Sequence, residues 1–264
     1  MNADQPQGRN VSPGTYDLTG TTVVVTGGNA GIGAALARGV GRAGAAVAIW
    51  ARNDDRNEAT VAALRAEGIE AWSVVCDVAV EPDVEHAMAA TLQRFGRVDS
   101  LFANAGIAAA TPYVETTLAD WQRVMQTNLD GSFLTTRAAA RHMIERGSGS
   151  IVVVSSMVSR YGAARQAAYA VTKSGLVGLG RTLAVELARY GIRVNILVPG
   201  WTITAMNEFL RADPKFMKAA TARIPVRRWA ADEDYLDVAP FLAHSGLTYH
   251  TGNEVVVDGG YSVF

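Results

Sequence analysis

The chain has 264 residues, of which 49% are hydrophobic and 19% are charged, and its formal net charge at pH 7 is -1. This size suits one large α/β domain with a sizeable core, and a charge so close to zero gives no electrostatic reason to expect nucleic acid or a membrane surface as a partner. No apolar run reaches the roughly 20 residues of a membrane helix, and Cys76 is the only cysteine, so we expect no intrachain disulfide and a reducing, cytoplasmic location.

Strand-like and helix-like segments alternate from Thr21 onwards, after a polar stretch at residues 1–17 that we expect to be a flexible leader. Apolar and β-branched runs predict strands at Thr22–Thr26, Ala46–Ala51, Ala71–Cys76, Ser100–Ala103, Ile151–Ser155, Arg193–Val198 and Asn253–Val257. Helices are predicted at Gly33–Ala43, Asp55–Glu67, Pro82–Phe95, Leu118–Arg146 (as one helix or two), Gln166–Tyr190 and Asp232–Ser245.

Strands separated by helices of this length imply right-handed crossovers and a mostly parallel sheet. The strands are nearly all apolar, as expected when helices cover both faces of a sheet. We therefore predict a single Rossmann-type α/β domain over residues 18–264, with a doubly wound parallel sheet of about seven strands. Residues 204–231 interrupt the alternation, and an insertion after the carboxyl end of a strand is a natural substrate lid.

A glycine-rich turn, Thr26-Gly-Gly-Asn-Ala-Gly-Ile-Gly33, lies between the first strand and the first helix. Gly27, Gly31 and Gly33 permit a tight turn and the close approach of a pyrophosphate to the helix N-terminus, where free N–H groups favour an anion. Three residues separate the first two motif glycines, which departs from the G-x-G-x-x-G spacing. The position after the first strand nevertheless favours nucleotide binding, and Asn29 and Ile32 belong to the same predicted site.

The end of the second strand, Ile49-Trp-Ala-Arg-Asn53, bears on the choice of cofactor. A carboxylate there would bind the adenosine ribose and repel a 2′-phosphate, but this chain has Ala51 followed by Arg52. Because a guanidinium binds phosphate well, Arg52 favours NADP(H). NAD(H) remains an alternative if Arg52 is only solvated and Asp54 or Asp55 contacts the ribose.

Tyr169 and Lys173 are one helical turn apart and therefore share a helix face. An ammonium beside a phenol favours the phenolate and lowers the phenol pKa, which suits acid–base catalysis near neutral pH. Ser156 ends the strand-like run from Ser150, where its hydroxyl can point into a cleft. Taken alone, Tyr169 also fits an interface aromatic, and Lys173 a solvated helix residue.

Further motifs are Asn104-Ala-Gly106, Asn128 and Pro199-Gly200 with Thr204. Together with the glycine-rich turn and the set formed by Ser156, Tyr169 and Lys173, they make the chain resemble the classical short-chain dehydrogenases/reductases from about Leu18 to Phe264. The resemblance implies hydride transfer between a nicotinamide cofactor and a secondary alcohol or ketone.

By this resemblance, Tyr169 is the catalytic acid/base, Ser156 polarises the substrate carbonyl, and Lys173 holds the nicotinamide ribose. Asn128 would anchor a water of a proton relay, although alone it also fits a residue that caps or interrupts a helix. Asp77 would meet the adenine, and Thr202 the carboxamide through its main chain. The full set of implied cofactor-binding residues is Gly27, Asn29, Gly31, Ile32, Gly33, Arg52, Asp77, Val78, Asn104, Ala105, Gly106, Tyr169, Lys173, Pro199, Gly200, Thr202 and Thr204.

The motifs indicate the type of reaction, but they indicate only that the substrate is a small-molecule alcohol or ketone. Candidate pocket residues indicate a mainly apolar pocket for a cyclic or medium-sized ketone: Met157, Val158, Arg165, Trp201, Met206, Phe209 and Phe216. One alternative is a sugar or polyol dehydrogenase. Another is a 3-oxoacyl thioester reductase, for which Arg223, Arg227 and Arg228 would be part of a basic docking surface for an acidic carrier protein. A nucleotide-sensing regulator is disfavoured, because sensing needs no proton donor.

Two long helical segments, Leu118–Arg146 and Gln166–Tyr190, carry small and apolar residues on more than one face, which indicates burial on more than one side. With the family resemblance, this predicts a homotetramer, or failing that a dimer. The chain's histidines, at positions 86, 142, 244 and 250, have no credible metal-ligand spacing, so we expect no metal site.

Overall fold

Seven parallel strands form one sheet in the computed structural model, which describes residues 16–264 apart from the side chain of Phe209. The predicted leader at residues 1–17 therefore lies almost wholly outside the described residues. The strands are β1 (Thr22–Thr26), β2 (Ala46–Ala51), β3 (Ala71–Val75), β4 (Ser100–Ala103), β5 (Gly149–Val154), β6 (Ile192–Pro199) and β7 (Glu254–Val257).

The strand order is β3-β2-β1-β4-β5-β6-β7, and every neighbouring pair is parallel. This confirms the predicted doubly wound Rossmann-type sheet. From β1 the chain builds outwards to β3, and from β4 it builds in the other direction to β7, so the order reverses between β1 and β4. In open α/β sheets a ligand crevice forms at the carboxyl ends of the strands at such a switch point.

Helices connect the strands and cover both faces of the sheet. They are α1 (Gly31–Arg42), α2 (Asp54–Ala66), α3 (Glu81–Phe95), α4 (Leu118–Met125), α5 (Gly131–Arg146), α6 (Ala167–Leu187), α7 (Glu208–Arg211), α8 (Pro214–Ala222) and α9 (Val238–Ala243). Within the described residues, no helix is both long and apolar enough to cross a membrane.

One predicted helical segment is broken in the structure, and another takes the two-helix form of its prediction. The segment 232–245 is a 3₁₀ turn, Asp232–Tyr235, followed by the short α9. Pro240 accounts for the late start of α9, because proline lacks an N–H and is tolerated only in the first helical turn. The segment 118–146 contains two helices, α4 and α5, joined by a π-helical turn at Gln126–Asp130.

Apolar side chains fill both sides of the sheet, as the alternation of a strand requires. Val23 packs in the cluster beneath α1, α2 and α9, whereas its neighbour Val24 packs in the cluster beneath α3, α5 and α6. Both residues are at most 1% exposed. This double burial explains why the strand sequences contain almost no polar residues, and it holds the strand ends in fixed relative positions.

The segment 204–231 lies beyond the carboxyl end of β6 and contains α7 and α8. Its two ends are joined, because the N–H of Ala230 donates to the carbonyl of Trp201 at 2.8 Å and the N–H of Ile203 donates to the carbonyl of Ala230 at 2.9 Å. A separate apolar cluster that includes Ile224 and Trp229 packs this segment against Met157.

Candidate active site

A cavity of about 420 Å³ opens at the carboxyl ends of the central strands, over the switch point between β1 and β4. The turns that follow β1 to β6 and the first turns of α6 form its wall. The structure brings together at this wall all the residues predicted to bind a cofactor, namely Gly27, Asn29, Gly31, Ile32, Gly33, Arg52, Asp77, Val78, Asn104, Ala105, Gly106, Tyr169, Lys173, Pro199, Gly200, Thr202 and Thr204.

The glycine-rich turn depends on backbone that side chains rarely permit. Gly27 and Gly31 have φ values of 63° and 49°, in the left-handed region that glycine adopts without strain. A Cβ on Gly33 would lie 2.2 Å from the carbonyl oxygen of Gly27, and a Cβ on Gly31 would lie 3.0 Å from Cγ2 of Thr204. Helix α1 begins at Gly31 with no side-chain cap, so its first N–H groups remain available to an anion.

The hydroxyl of Thr26 joins the ends of β1 and β4. Its oxygen accepts hydrogen bonds from the N–H groups of Asn104 and Ala105, each at 3.0 Å. The side-chain amide of Asn104 returns a bond of 2.9 Å to the carbonyl of Thr26. These contacts fix the two strand ends at the point where the cavity opens, which gives the Asn104-Ala-Gly106 motif a physical role.

The cavity end nearest β2 and β3 carries two guanidinium groups. Arg52 is 61% exposed, and its nearer terminal nitrogen lies 3.7 Å from a carboxylate oxygen of Asp77. Arg56, in the first turn of α2, lines the same wall and was not found by sequence analysis. The side chain of Asn53 caps α2 by accepting from the N–H of Arg56 at 2.8 Å, so an arginine three residues after a capping asparagine was the available signal.

The alternative ribose-binding acids do not reach this wall. Asp54 and Asp55 are exposed in the first turn of α2 and, in the part of the chain that the structure describes, neither lines the cavity. The charge at this end is therefore dominated by Arg52 and Arg56, with Asp77 beside Arg52. Such a wall favours an additional phosphate over a bare ribose hydroxyl.

The opposite end of the cavity holds the predicted catalytic side chains. The hydroxyl of Ser155 donates to the carbonyl of Lys173 at 2.7 Å, and the ammonium of Lys173 donates to the carbonyl of Val154 at 2.8 Å. These bonds fix α6 against the end of β5. Ser155 and Ser156 both line the cavity. Because the hydroxyl of Ser155 is engaged with α6, Ser156 is the serine available beside the phenol, and its hydroxyl opposes the rise in the pKa of Tyr169.

The protonation of this pair differs in part from what the spacing predicted. Lys173 is 4% exposed, and its ammonium lies 5.6 Å from the centroid of the Tyr169 ring. Burial lowers the pKa of Lys173 to about 8. Burial also raises the pKa of Tyr169, against the opposing effect of its hydrogen bond with Ser156. Desolvation of the phenolate thus outweighs its stabilisation, so Tyr169 is a protonated phenol at neutral pH.

Asn128 lies behind the cavity wall, in the π-helical turn between α4 and α5. Its fully buried amide accepts from the N–H of Ile107 at 2.8 Å and donates to the carbonyl of Ile107 and the hydroxyl of Thr172, both at 3.0 Å. Its own carbonyl accepts from the hydroxyl of Ser132 at 2.7 Å. Asn128 therefore links the loop after β4 to α6, beside Lys173.

The chain after β6 forms the rim of the same end. The hydroxyl of Thr202 shares a hydrogen bond of 2.6 Å with the hydroxyl of Tyr235, and its carbonyl accepts from the side-chain amide of Asn207 at 2.6 Å. Asn207 also accepts from the N–H of Thr204 at 3.3 Å. Asn207 thus organises the main chain that the sequence predicts to meet a carboxamide.

The remaining part of the wall is mainly apolar. The residues lining it are Ile107, Ala108, Ala109, Ala110, Met157, Val158, Gln166, Trp201, Met206, Asn207 and Leu210. Sequence analysis missed Gln166, Asn207 and Leu210 and the loop residues 107–110, because uncharged polar residues and small or aliphatic residues at these places carry no distinctive signal.

The prediction was wrong for two pocket residues, which do not line the cavity, and the side chain of a third is not among the described parts of the chain. Phe216 does not line the cavity but packs edge-on against Trp201, with ring centroids 5.5 Å apart. Arg165 does not line it either, since its guanidinium donates to the carbonyl of Ala110 at 3.2 Å from outside the wall. The side chain of Phe209 is not described.

The residues present fit a dinucleotide better than a smaller ligand. A glycine-rich turn at a helix N-terminus suits a pyrophosphate, and the guanidinium groups of Arg52 and Arg56 suit a phosphate at the adenosine end. A ring placed near Tyr169 at the other end would leave the apolar wall for a second molecule. The cavity volume lies within the roughly 300–1,000 Å³ of ligand sites.

Known dehydrogenases and reductases are similar to this chain over nearly its whole length. Residues 19–262 match a family model described as enoyl-(acyl carrier protein) reductase. The gluconate 5-dehydrogenase of Gluconobacter oxydans (strain 621H) is 36% identical over 251 residues, which cover 95% of this chain and 98% of that protein. A 3-oxoacyl-(acyl-carrier-protein) reductase of Synechocystis sp. is 36% identical over 249 residues, covering 94% and 99%.

Solved structures are similar over the same extent. A gluconate 5-dehydrogenase from Burkholderia cenocepacia J2315, in complex with NADP and tartrate, superposes with a TM-score of 0.90 at 36% identity and covers 94% of this chain and 98% of that one. A short-chain type dehydrogenase/reductase from Mycobacterium marinum superposes with a TM-score of 0.89 at 32% identity, covering 94% and 97%.

Proposed function

Because this chain belongs to the short-chain dehydrogenase/reductase family and is an oxidoreductase of CH–OH groups, we propose that Tyr169 is the acid/base with which it interconverts a secondary alcohol and a ketone. The proposal is carried by the position of its side chain, which lines the cavity together with Ser156 and lies one helical turn from the buried ammonium of Lys173. The cofactor is NADP(H) in preference to NAD(H), and it supplies or accepts the hydride when bound.

The side chains then divide the work on the reacting oxygen. In reduction, the Tyr169 phenol donates its proton to the oxygen of the former carbonyl, and Ser156 donates a hydrogen bond to the same atom. The phenolate left behind is stabilised by the buried ammonium of Lys173. In oxidation, the phenolate accepts the proton of the alcohol. Asn128 lies in the π-helical turn beside Lys173. Its proposed role is to anchor a water molecule of a proton relay.

Removal of the phenolic hydroxyl tests the role of Tyr169. Tyr169→Phe keeps the ring and its packing but has no proton to donate, so its kcat should fall at least about 100-fold. Stopped-flow or steady-state oxidation of NADPH measures this loss, and NADPH titration followed by fluorescence serves as the control for an intact cofactor site. Near-normal turnover by this variant would exclude the mechanism.

The pH profile tests the charge of Lys173. Its pKa is lowered to about 8 by burial, so the ammonium is present below this pH and is lost as the pH rises through it. The kcat/KM for ketone reduction should therefore fall above about pH 8, because this parameter reports groups of the free enzyme. Lys173→Arg, which keeps its charge at higher pH, should move the fall upwards even if its rate is lower. A flat profile between about pH 6 and pH 10 contradicts this assignment.

The cofactor preference rests on two guanidinium groups at the adenosine end. Arg52 and Arg56 line this end of the cavity, whereas Asp54 and Asp55 do not. NADP was bound in the similar Burkholderia enzyme, in agreement with this choice.

The double variant Arg52→Ala with Arg56→Ala should raise the KM for NADPH at least about 10-fold, since charge-assisted bonds to phosphate are lost. Its KM for NADH should change little, because NADH lacks the 2′-phosphate. Steady-state kinetics with both cofactors measures the difference, with Arg42→Ala as control, since Arg42 is paired with Glu67 away from the cavity. Equal efficiency of the unaltered enzyme with NADPH and NADH would overturn the preference.

The substrate is a medium-sized ketone or the matching secondary alcohol, since the wall beside Tyr169 is mainly apolar. A sugar acid is the second candidate, supported by the relatives and structures that bear the name gluconate 5-dehydrogenase. The segment 204–231 acts as the lid over this wall, because Met206 and Leu210 belong both to it and to the cavity. Oxidation and reduction of a panel of ketones, polyols and sugar acids separates these candidates.

The assembly proposed is a homotetramer in the cytoplasm. Val185 on α6 is 84% exposed, Val171 on the same helix is 45% exposed, and Phe133 on α5 is 48% exposed. Apolar side chains so exposed on adjoining helices suit a contact between copies of the chain. The single cysteine, Cys76, is free and buried, and a chain without a disulfide suits a reducing compartment.

Val185→Asp tests the α6 contact. A carboxylate at the centre of an apolar interface is desolvated without a partner, so the tetramer should dissociate to dimers or monomers. Size-exclusion chromatography with light scattering measures the mass. Ala62→Asp, a comparable change on the exposed face of α2, should leave the mass unchanged. A monomeric unaltered protein would contradict the proposed assembly.

A further inference from the structure

The rim of the substrate end contains an arginine with an unusual backbone. Arg165 has a φ of 68°, in the left-handed region that residues other than glycine and asparagine seldom adopt. Its carbonyl accepts from the N–H of Thr111 at 3.0 Å, and the following N–H, of Gln166, donates to the carbonyl of Ala163 at 3.2 Å. The conformation is thus held by contacts on both sides, which is typical of functional sites.

The guanidinium of Arg165 lies next to residues that line the cavity. It is exposed, and it donates one hydrogen bond, of 3.2 Å, to the carbonyl of Ala110. Ala110 itself lines the cavity, as does Gln166, the neighbour of Arg165 in sequence. Arg165 therefore stands directly outside the wall, at the point where the loop after β4 meets the start of α6.

The charge of Arg165 is not balanced locally. Among residues 16–264, no carboxylate lies within the 4.0 Å of an ion pair with it, in contrast to Arg160 and Arg181, which both pair with Glu254 at 2.6 Å. A guanidinium has five donors, and in the same residues only the bond to Ala110 engages one of them. The remaining donors are available to a ligand.

The neighbouring wall gives an anion no other cationic partner. Around Tyr169 the lining residues are apolar or uncharged, apart from Lys173, whose ammonium is buried against the carbonyl of Val154. The carboxylate that lines the cavity, Asp77, lies at the opposite end beside Arg52. A positive charge at the mouth of an apolar cleft, without an opposing carboxylate, suits a ligand with an apolar body and an anionic end.

We propose that Arg165 binds a carboxylate of the substrate at the mouth of the cavity, so that the enzyme acts on oxo acids or hydroxy acids whose reacting carbon lies deeper, beside Tyr169. This inference rests on the proposed function and adds the substrate class to it. The guanidinium leaves or shares its bond with Ala110 and binds the carboxylate through two N–H groups. The side-chain amide of Gln166 makes no hydrogen bond with the described residues. Because Gln166 lines the cavity, this amide is placed to bind a nearby hydroxyl or carbonyl of the same molecule.

A paired substrate set tests the proposal. The unaltered enzyme should reduce 5-oxohexanoate and 7-oxooctanoate with a higher kcat/KM than their methyl esters, which have the same body without the charge. Arg165→Gln keeps a donor for the carbonyl of Ala110 but removes the charge. It should lower kcat/KM for the acids about 10-fold, mainly through KM, because a charge-assisted bidentate contact is lost. Its values for the esters should change little.

Charge and position are controlled separately. Arg165→Lys should recover part of the preference for acids, because it restores the charge without the planar fork. Arg160→Gln, in the same segment but engaged by Glu254, should leave the ratio of acid to ester unchanged. Raising the salt concentration should weaken the preference of the unaltered enzyme, because an exposed ion pair is screened. If Arg165→Gln affects acids and esters equally, Arg165 only fixes the rim and the proposal is wrong.

A binding measurement separates this inference from the proposed reaction. Trp201 lines the cavity, so its fluorescence reports on ligands that the enzyme does not reduce. Hexanoate should bind more tightly than hexanamide to the NADPH-loaded protein, and Arg165→Gln should abolish the difference. If the unaltered enzyme binds hexanoate more tightly than hexanamide but reduces no ketone, the proposed reaction is refuted and the carboxylate site is not. Equal or undetectable binding of the two ligands to the unaltered protein would refute the carboxylate site, whatever the turnover.

Discussion

The buried ammonium of Lys173 is the constraint around which the site is built. It is 4% exposed, and its hydrogen-bond acceptor among residues 16–264 is the carbonyl of Val154 rather than a carboxylate. Burial without a counter-charge lowers its pKa to about 8. Such a group is held in place only if its helix is fixed, and the bond from Ser155 to the carbonyl of Lys173 provides this fixation at the end of β5.

The same constraint explains the shape of the helices around the cavity. Helix α6 must approach the loop after β4, and Asn128 bridges the two by bonding both Ile107 and Thr172. Asn128 lies in a π-helical turn, and such turns are frequent at functional sites. The relative positions of Tyr169, Lys173 and the loop after β4 thus depend on contacts between elements that are far apart in sequence.

Charge is distributed unevenly along the cavity. Guanidinium groups stand at the adenosine end, uncharged main chain at the glycine-rich turn, and an apolar wall at the end near Tyr169. Since anionic groups prefer the first two regions, this distribution favours one orientation of a dinucleotide in the cavity. In the proposed reaction the organic substrate lies beside Tyr169, and the proposed role of Arg165 is to supply the positive charge at the mouth.

Local patterns in the sequence determined much of this molecule. Strands β1, β2 and β4 have their predicted bounds because both faces of the sheet are apolar, so that burial and sequence run coincide. Glycine spacing and the pair formed by Tyr169 and Lys173 located the cavity for the same reason: each is a contact within one turn or one helix face. Short-range geometry of this kind is encoded in adjacent residues.

Tertiary structure decided what depends on distant groups. It placed Arg56 in the same cavity wall as Arg52, left Phe216 and Arg165 outside the lining, and decided between one helix and two for the segment 118–146, where a π-helical turn joins α4 to α5. It also reversed the expected direction for the pKa of Tyr169, because the desolvation of a phenolate is set by every element packed around it and not by a lysine one turn away.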